Sequence, residues 1–239
     1  MSWTVLVVAG LIVLTGAVVQ GAVGYGLNLI AGPLLALLDP VFVPVPVLLI
    51  ACVLAGALTV RELSSVEWRG VGWAMVGRVP GNLLGLLALV TLPVTGFNLV
   101  VGITVLTCVL LSVVTWRPRI TPPSLVVAGT ASGAFGTVSA IGGPPIALLY
   151  QNESGPTVRA TLNAFFLLAS VSSVTTLAVA GQVRGEHLVA AAALLPFIVG
   201  GFLVSGPLRR VLSGGRLRTA VLAVAAVSAV VLIGRSVLG

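Results

Sequence analysis

Lysine is absent from this chain, and only five of its 239 residues are acidic. Charged residues of either sign make up 7%, against roughly 25% in an ordinary soluble domain. That shortage excludes a water-exposed surface of normal composition. Cysteine is limited to Cys52 and Cys108, both inside apolar runs, so a disulfide scaffold is excluded and two free thiols behaving as small hydrophobes are expected. The single histidine, His187, lies beside Glu186 at the end of an apolar run, where a lone imidazole is solvated; no metal site and no cofactor is expected. There is no HExxH, no GxSxG and no Walker-type glycine loop, so neither an enzyme nor an ATP-driven pump is expected.

Apolar residues fill the space left by the missing charge. They make up 58% of the chain, and mean hydropathy is +1.22. No soluble core hides that much apolar surface, so the fold class is all-α, a polytopic transmembrane helical bundle in the cell inner (plasma) membrane. The net charge of +7 comes from twelve arginines. They stand singly or in pairs at the ends of apolar runs, as membrane anchors do, so nucleic acid is not an expected partner. The first apolar run has no basic leader and is too long for a cleavable signal core.

A span needs about 20 apolar residues at 1.5 Å each. The run from Trp3 to Leu38 would measure roughly 54 Å as one helix, so it must break, and Gly21 to Gly26 is the expected place. Further spans are expected at Val43–Val60, Gly70–Leu92, Phe97–Thr115, Ser124–Tyr150, Val158–Ala180, Leu188–Leu208 and Leu217–Ile233. That makes about eight, four in each half. Trp3, Trp68 and Trp116 fall near span ends, as an interfacial aromatic belt requires.

A glycine phrase occurs twice. Gly21-Ala22-Val23-Gly24 recurs as Gly133-Ala134-Phe135-Gly136, and a proline follows each, Pro33 and Pro145, all at a separation of 112 residues (21 to 133, 24 to 136, 33 to 145). Two four-helix repeats are expected, 1–119 and 120–239, each with a broken first helix. Four crossings per half would make the repeats parallel. Eight spans would place six arginines on one face and five on the other, which sets no orientation.

A helix that restarts inside a membrane presents unpaired N–H groups and about half a positive charge at its N-terminus. Two such ends facing one cavity make an anion site. Pro33 and Pro144-Pro145 are expected to open the restarted helices, because proline has no N–H to orphan there. The expected substrate-binding set is Gln20, Gly21, Gly24, Tyr25, Gly26, Asn28 and Pro33 from the first break. From the second come Ser132, Gly133, Gly136, Thr137, Ser139, Gly142, Gly143 and Pro144. Any single glycine also fits plain helix packing; the duplicated unit points to a site.

The order of these elements resembles the sulfite exporter TauE/SafE family. The resemblance rests on Gln20-Gly21-Ala22-Val23-Gly24-Tyr25-Gly26, Pro33, Val66-Glu67-Trp68-Arg69, and Gly77, Gly81 and Gly85. It continues through Gly133 to Gly136, Gly142-Gly143-Pro144-Pro145 and Arg159. The family is linked to movement of sulfur-containing anions such as sulfite, thiosulfate and organosulfonates, which the resemblance implies as substrates here.

Arg78 is the sharpest single residue, near the middle of the third span. An intramembrane guanidinium suits an oxyanion; otherwise it snorkels toward Trp73 and the interface. Arg159 and Asn163, at the start of the sixth span, complete the expected set, and Asn82 is a further amide within an apolar helix. Asp39, Glu62, Glu67, Glu153 and Glu186 all fall at span ends, so no carboxylate is available to couple transport to protons. Transport is expected to be passive or coupled through the substrate itself. The expected partners are a small anion and the lipid bilayer, with the glycine-faced third and seventh spans offering a homodimer contact. The alternative reading is a nontransporting assembly or accessory subunit.

Overall fold

The computed structural model describes residues 3–113 and 118–212, together with 223, 226–228, 230, 231 and 234. The described residues hold helices and no strand. In order these are α1 (Trp3–Val23), α2 (Leu27–Leu38), α3 (Val45–Arg61), α4 (Trp68–Thr91), α5 (Val94–Val113), α6 (Pro122–Ser139), α7 (Gly143–Tyr150), α8 (Gly155–Val179) and α9 (Gly185–Leu212). Helix satisfies every backbone group within the segment, which lipid demands. The starts are legible in the sequence. The Glu67 carboxylate accepts from the Gly70 N–H at 2.8 Å to cap α4, and Thr121 with Ser124 forms a capping box on α6.

Among the described residues, four helices are long and apolar enough to cross a membrane: α1, α4, α8 and the stretch 185–208 of α9. The expected eighth segment, 217–233, lies almost wholly outside the described residues, as do Trp116 and Arg117. Of the remaining expected spans, α3 has 17 residues, about 25 Å. The expected fifth span is two helices, α6 and α7, divided at Ala140–Gly142.

That division is a reversal of direction. Leu27 packs against Gly16, and Gly26 against Val19, so α2 doubles back along α1. Gly142 lies beside Ser132, and the Tyr150 hydroxyl donates to Glu67 at 2.8 Å, so α7 doubles back along α6. Each broken segment is a helical hairpin. The hairpins also enter from opposite faces. Along α4 and α6 the contacts rise together, from Ala74 with Gly129 to Gly85 with Ala134, and α4 runs likewise beside α8, from Glu67 with Thr161 to Arg78 with Ser173. Helix α1 runs parallel to α9, from Gly10 with Phe197 to Gly21 with Ser205. Since α9 returns from α8 after a short turn, α1 and α6 point in opposite directions.

Two sequence expectations change as a result. Parallel halves required α1 and α6 to point the same way; they point in opposite directions. The arginine count changes with it. Arg61, Arg69, Arg119 and Arg159 lie at the face carrying the 62–67 turn. Among the described residues the opposite face has Arg184. The glycines expected to serve a homodimer are occupied within the chain, Gly77 and Gly81 by the α6 backbone and Gly201 by α1.

Candidate functional site

The hairpin tips differ in chemistry. In the first, Gly24 and Gly26 take φ of +100° and +142°, a region side chains disfavour, and α2 starts directly after them. Pro33 does not open α2. It lies in the helix interior, because the glycines have already made the break one turn and more upstream. In the second, Gly133 and Gly136 sit inside unbroken α6, and the reversal comes at Ala140, with φ of 61°. Pro144 and Pro145 do occupy the first turn of α7 as expected. The breaks therefore lie 116 residues apart (24 to 140, 26 to 142), one helical turn more than the repeated phrase.

Both tips border one cavity of about 30 Å³, enough for about two waters or one small ion. Gln20, Tyr25, Gly26 and Asn28 line it from the first hairpin, and Gly142, Gly143 and Pro144 from the second. The Asn28 amide nitrogen donates to the Ala140 carbonyl at 2.6 Å and ties the tips together. Arg78 completes the wall from α4, with Leu48 and Ala51 of α3 and Phe166, Ala169 and Ser170 of α8.

Arg78 does not snorkel. It is 2% exposed. Its Nη1 donates to the Ser132 carbonyl and hydroxyl at 3.0 and 2.7 Å, and its Nη2 to the Ser173 hydroxyl at 2.9 Å. The guanidinium carbon stands 5.6 Å from the Phe165 ring centroid, a cation–π contact. Placing arginine at mid-membrane costs about 2.5–3.5 kcal/mol on insertion scales. Three hydrogen bonds to a charged group, about 1.5–3 kcal/mol each, are enough to offset it. No carboxylate is among these partners. Among the described residues, Arg78 Nε and Asn28 Oδ1 are buried with no hydrogen-bond partner. Gly136 leaves room for the guanidinium, since a Cβ there would stand 2.7 Å from Nη2.

The other expected residues surround this cavity without lining it. Thr137 donates to Asn82 Oδ1 at 3.1 Å and shares a hydrogen bond with Ser173 at 3.0 Å, one layer behind Arg78. Gly133 packs on Gly81 and Asn82, and Gly21 against Ser205. Ser139 donates back to the Phe135 carbonyl at 2.8 Å. Asn163 accepts from Gln20 at 3.0 Å and donates to the Arg159 carbonyl at 2.7 Å. Arg159 pairs with Glu62 at 3.3 Å and backs onto Gly24. A wider cleft of about 150 Å³ adjoins the cavity through shared residues Tyr25 and Pro144, and Gln151 and Val158 place it toward the arginine-rich face.

Sequence reasoning missed Ser170, Ser173, Phe165 and Phe166. The available signal was the spacing of Asn163, Ser170 and Ser173, seven and then three apart, which puts three polar groups on one stripe of α8. Among the described residues no cluster of His, Cys, Asp and Glu is arranged to hold a metal.

A family model described as Sulfite exporter TauE/SafE matches residues 8–232 of the chain. Comparison with curated proteins and with solved structures gave no match.

Proposed function

The chain belongs to the sulfite exporter TauE/SafE family, and we propose that it moves a small sulfur oxyanion such as sulfite through the cavity between its two hairpin tips. The family is one of membrane transporters for sulfur-containing anions, so a small anion and a bilayer are its partners. The observation that carries the site is Arg78. It is a buried cation with no acidic partner among the described residues, hydrogen-bonded beside a cavity that both helix restarts border. The N–H groups of Leu27, Asn28 and Leu29 at the start of α2, and that of Gly143 ahead of the two prolines of α7, add donors there.

Residues 1–119 and 120–239 are then inverted repeats, related by a pseudo-two-fold axis in the membrane plane, which is a common design for alternating access. By the positive-inside rule, the arginine-rich face is cytoplasmic, so Trp3 lies on the other side. The cleft beyond Tyr25 is the cytoplasmic approach to the site. An accessory subunit without transport would have no use for an unpaired buried cation beside a cavity.

Substituting Arg78→Gln tests this. Sulfite-dependent thermal stabilisation and flux in proteoliposomes should fall by at least about tenfold, the loss of one charge-assisted hydrogen bond. Unchanged sulfite binding in a folded Arg78→Gln protein would remove the site.

A further inference from the structure

We propose that the cavity takes its anion as the singly protonated form, hydrogensulfite where the cargo is sulfite, with Arg78 Nε holding an anionic oxygen and Asn28 Oδ1 accepting the cargo's proton. This rests on the anion-site reading above and says which protonation state the site selects.

Two orphaned groups carry the argument. Arg78 Nε–H is a donor, and Asn28 Oδ1 an acceptor; both residues line the cavity, and both atoms are buried without a partner. The Asn28 orientation is not interchangeable. Its other amide atom meets the Ala140 carbonyl at 2.6 Å, and a carbonyl accepts only, so the nitrogen must face it and the oxygen is left over. A buried acceptor left unpaired costs about 1–3 kcal/mol. A fully ionised sulfite has acceptors alone; it would satisfy Arg78 and repel Asn28 Oδ1. A protonated anion satisfies both.

The charge inventory agrees. The titratable groups that line the cavity are Tyr25 from the first tip and Arg78 from α4; none lines it from α3, α7 or α8. The acids near that end are engaged elsewhere, Glu62 with Arg159 and Glu67 with Tyr150. Each tip also brings the carbonyl end of α1 or α6 beside the N–H end of the next helix, so the half-charges of the restarts are opposed. Among the described residues that line the cavity, Arg78 is left as the one formal charge, matched to a monoanion. Such a carrier moves one proton with each anion and needs no carboxylate of its own.

The test compares sulfite with methanesulfonate, a monoanion of similar shape that has no ionisable proton. Dissociation constants for both are measured on the purified full chain over a pH range spanning the second ionisation of sulfite. Above that ionisation, the constant for total sulfite should rise about tenfold per pH unit, following the protonated fraction, while that for methanesulfonate stays level. Asn28→Leu should shrink the preference for sulfite over methanesulfonate at low pH by at least tenfold. A sulfite affinity that is flat or improves as pH rises, with Arg78→Gln still abolishing it, overturns the protonated form and leaves the site standing. Binding of both probes by Arg78→Gln as tightly as by the unsubstituted chain overturns the site and this inference together. Should Asn28→Leu fail to fold, the two wild-type pH profiles decide alone.

Discussion

The two hairpins do the same job with different materials. The first turns on Gly24 and Gly26 at positive φ and packs α1 against α9 through glycines that meet side chains, Phe197 and Ser205. The second turns on Ala140 and restarts on two prolines. Its α6 lies directly on the α4 backbone, with Gly77, Gly81, Gly129 and Gly133 meeting main-chain atoms. A repeated glycine phrase therefore breaks the helix in one copy and makes room for a neighbour in the other. Identical residues at two places in one chain need not do identical work.

Substitutions sharpen this contrast. The largest effect is expected at Gly129→Ala, where the Cβ would meet the Ala74 carbonyl. Backbone cannot give way, so thermal unfolding should show a loss of about 1–3 kcal/mol or no folded protein. In the first hairpin, Gly10→Ala meets the far end of the Phe197 ring, which can swing aside; about 1 kcal/mol or less is expected. Equal losses at the two sites would erase the distinction.

Gly24→Ala should come next. Its Cβ would stand 2.9 Å from the Arg159 Cα at a backbone φ of +100°, so a loss of about 1–2 kcal/mol in unfolding free energy is expected. Gly136→Ala should cost the least stability. Its Cβ would press on the Arg78 guanidinium, 2.7 Å from Nη2, so sulfite affinity measured calorimetrically should fall about tenfold, equivalent to one misplaced charged hydrogen bond. If Gly136→Ala melted early and still bound sulfite normally, its glycine would be a packing residue and nothing more.

The helices and the break near Gly24 were legible in the sequence because composition and helix punctuation are local signals. So was Arg78, since a mid-span charge stands out in an apolar run. The reversal of direction was not. A glycine–proline interruption reads the same whether the chain continues across the membrane or turns back; only the packing of Leu27 on Gly16 and of Tyr150 on Glu67 decides it. Counting each broken segment as one crossing also hid the arginine bias, since eight spans divide the arginines six to five while Arg61, Arg69, Arg119 and Arg159 share one face. Pro33 was misread for a related reason, since its alignment with Pro145 came from the repeated phrase, and the breaks themselves are one turn out of that register. Ser173 was invisible because its meaning depends on α8 facing Arg78, a tertiary fact.

The central claim is that both tips and Arg78 enclose one anion. A crystal grown with selenite, the heavier analogue of sulfite, tests it most directly by anomalous scattering. The account predicts a peak within hydrogen-bonding distance of Arg78 Nε, between Asn28 and Gly143. A peak elsewhere in the protein, with this cavity empty at saturating selenite, would contradict it.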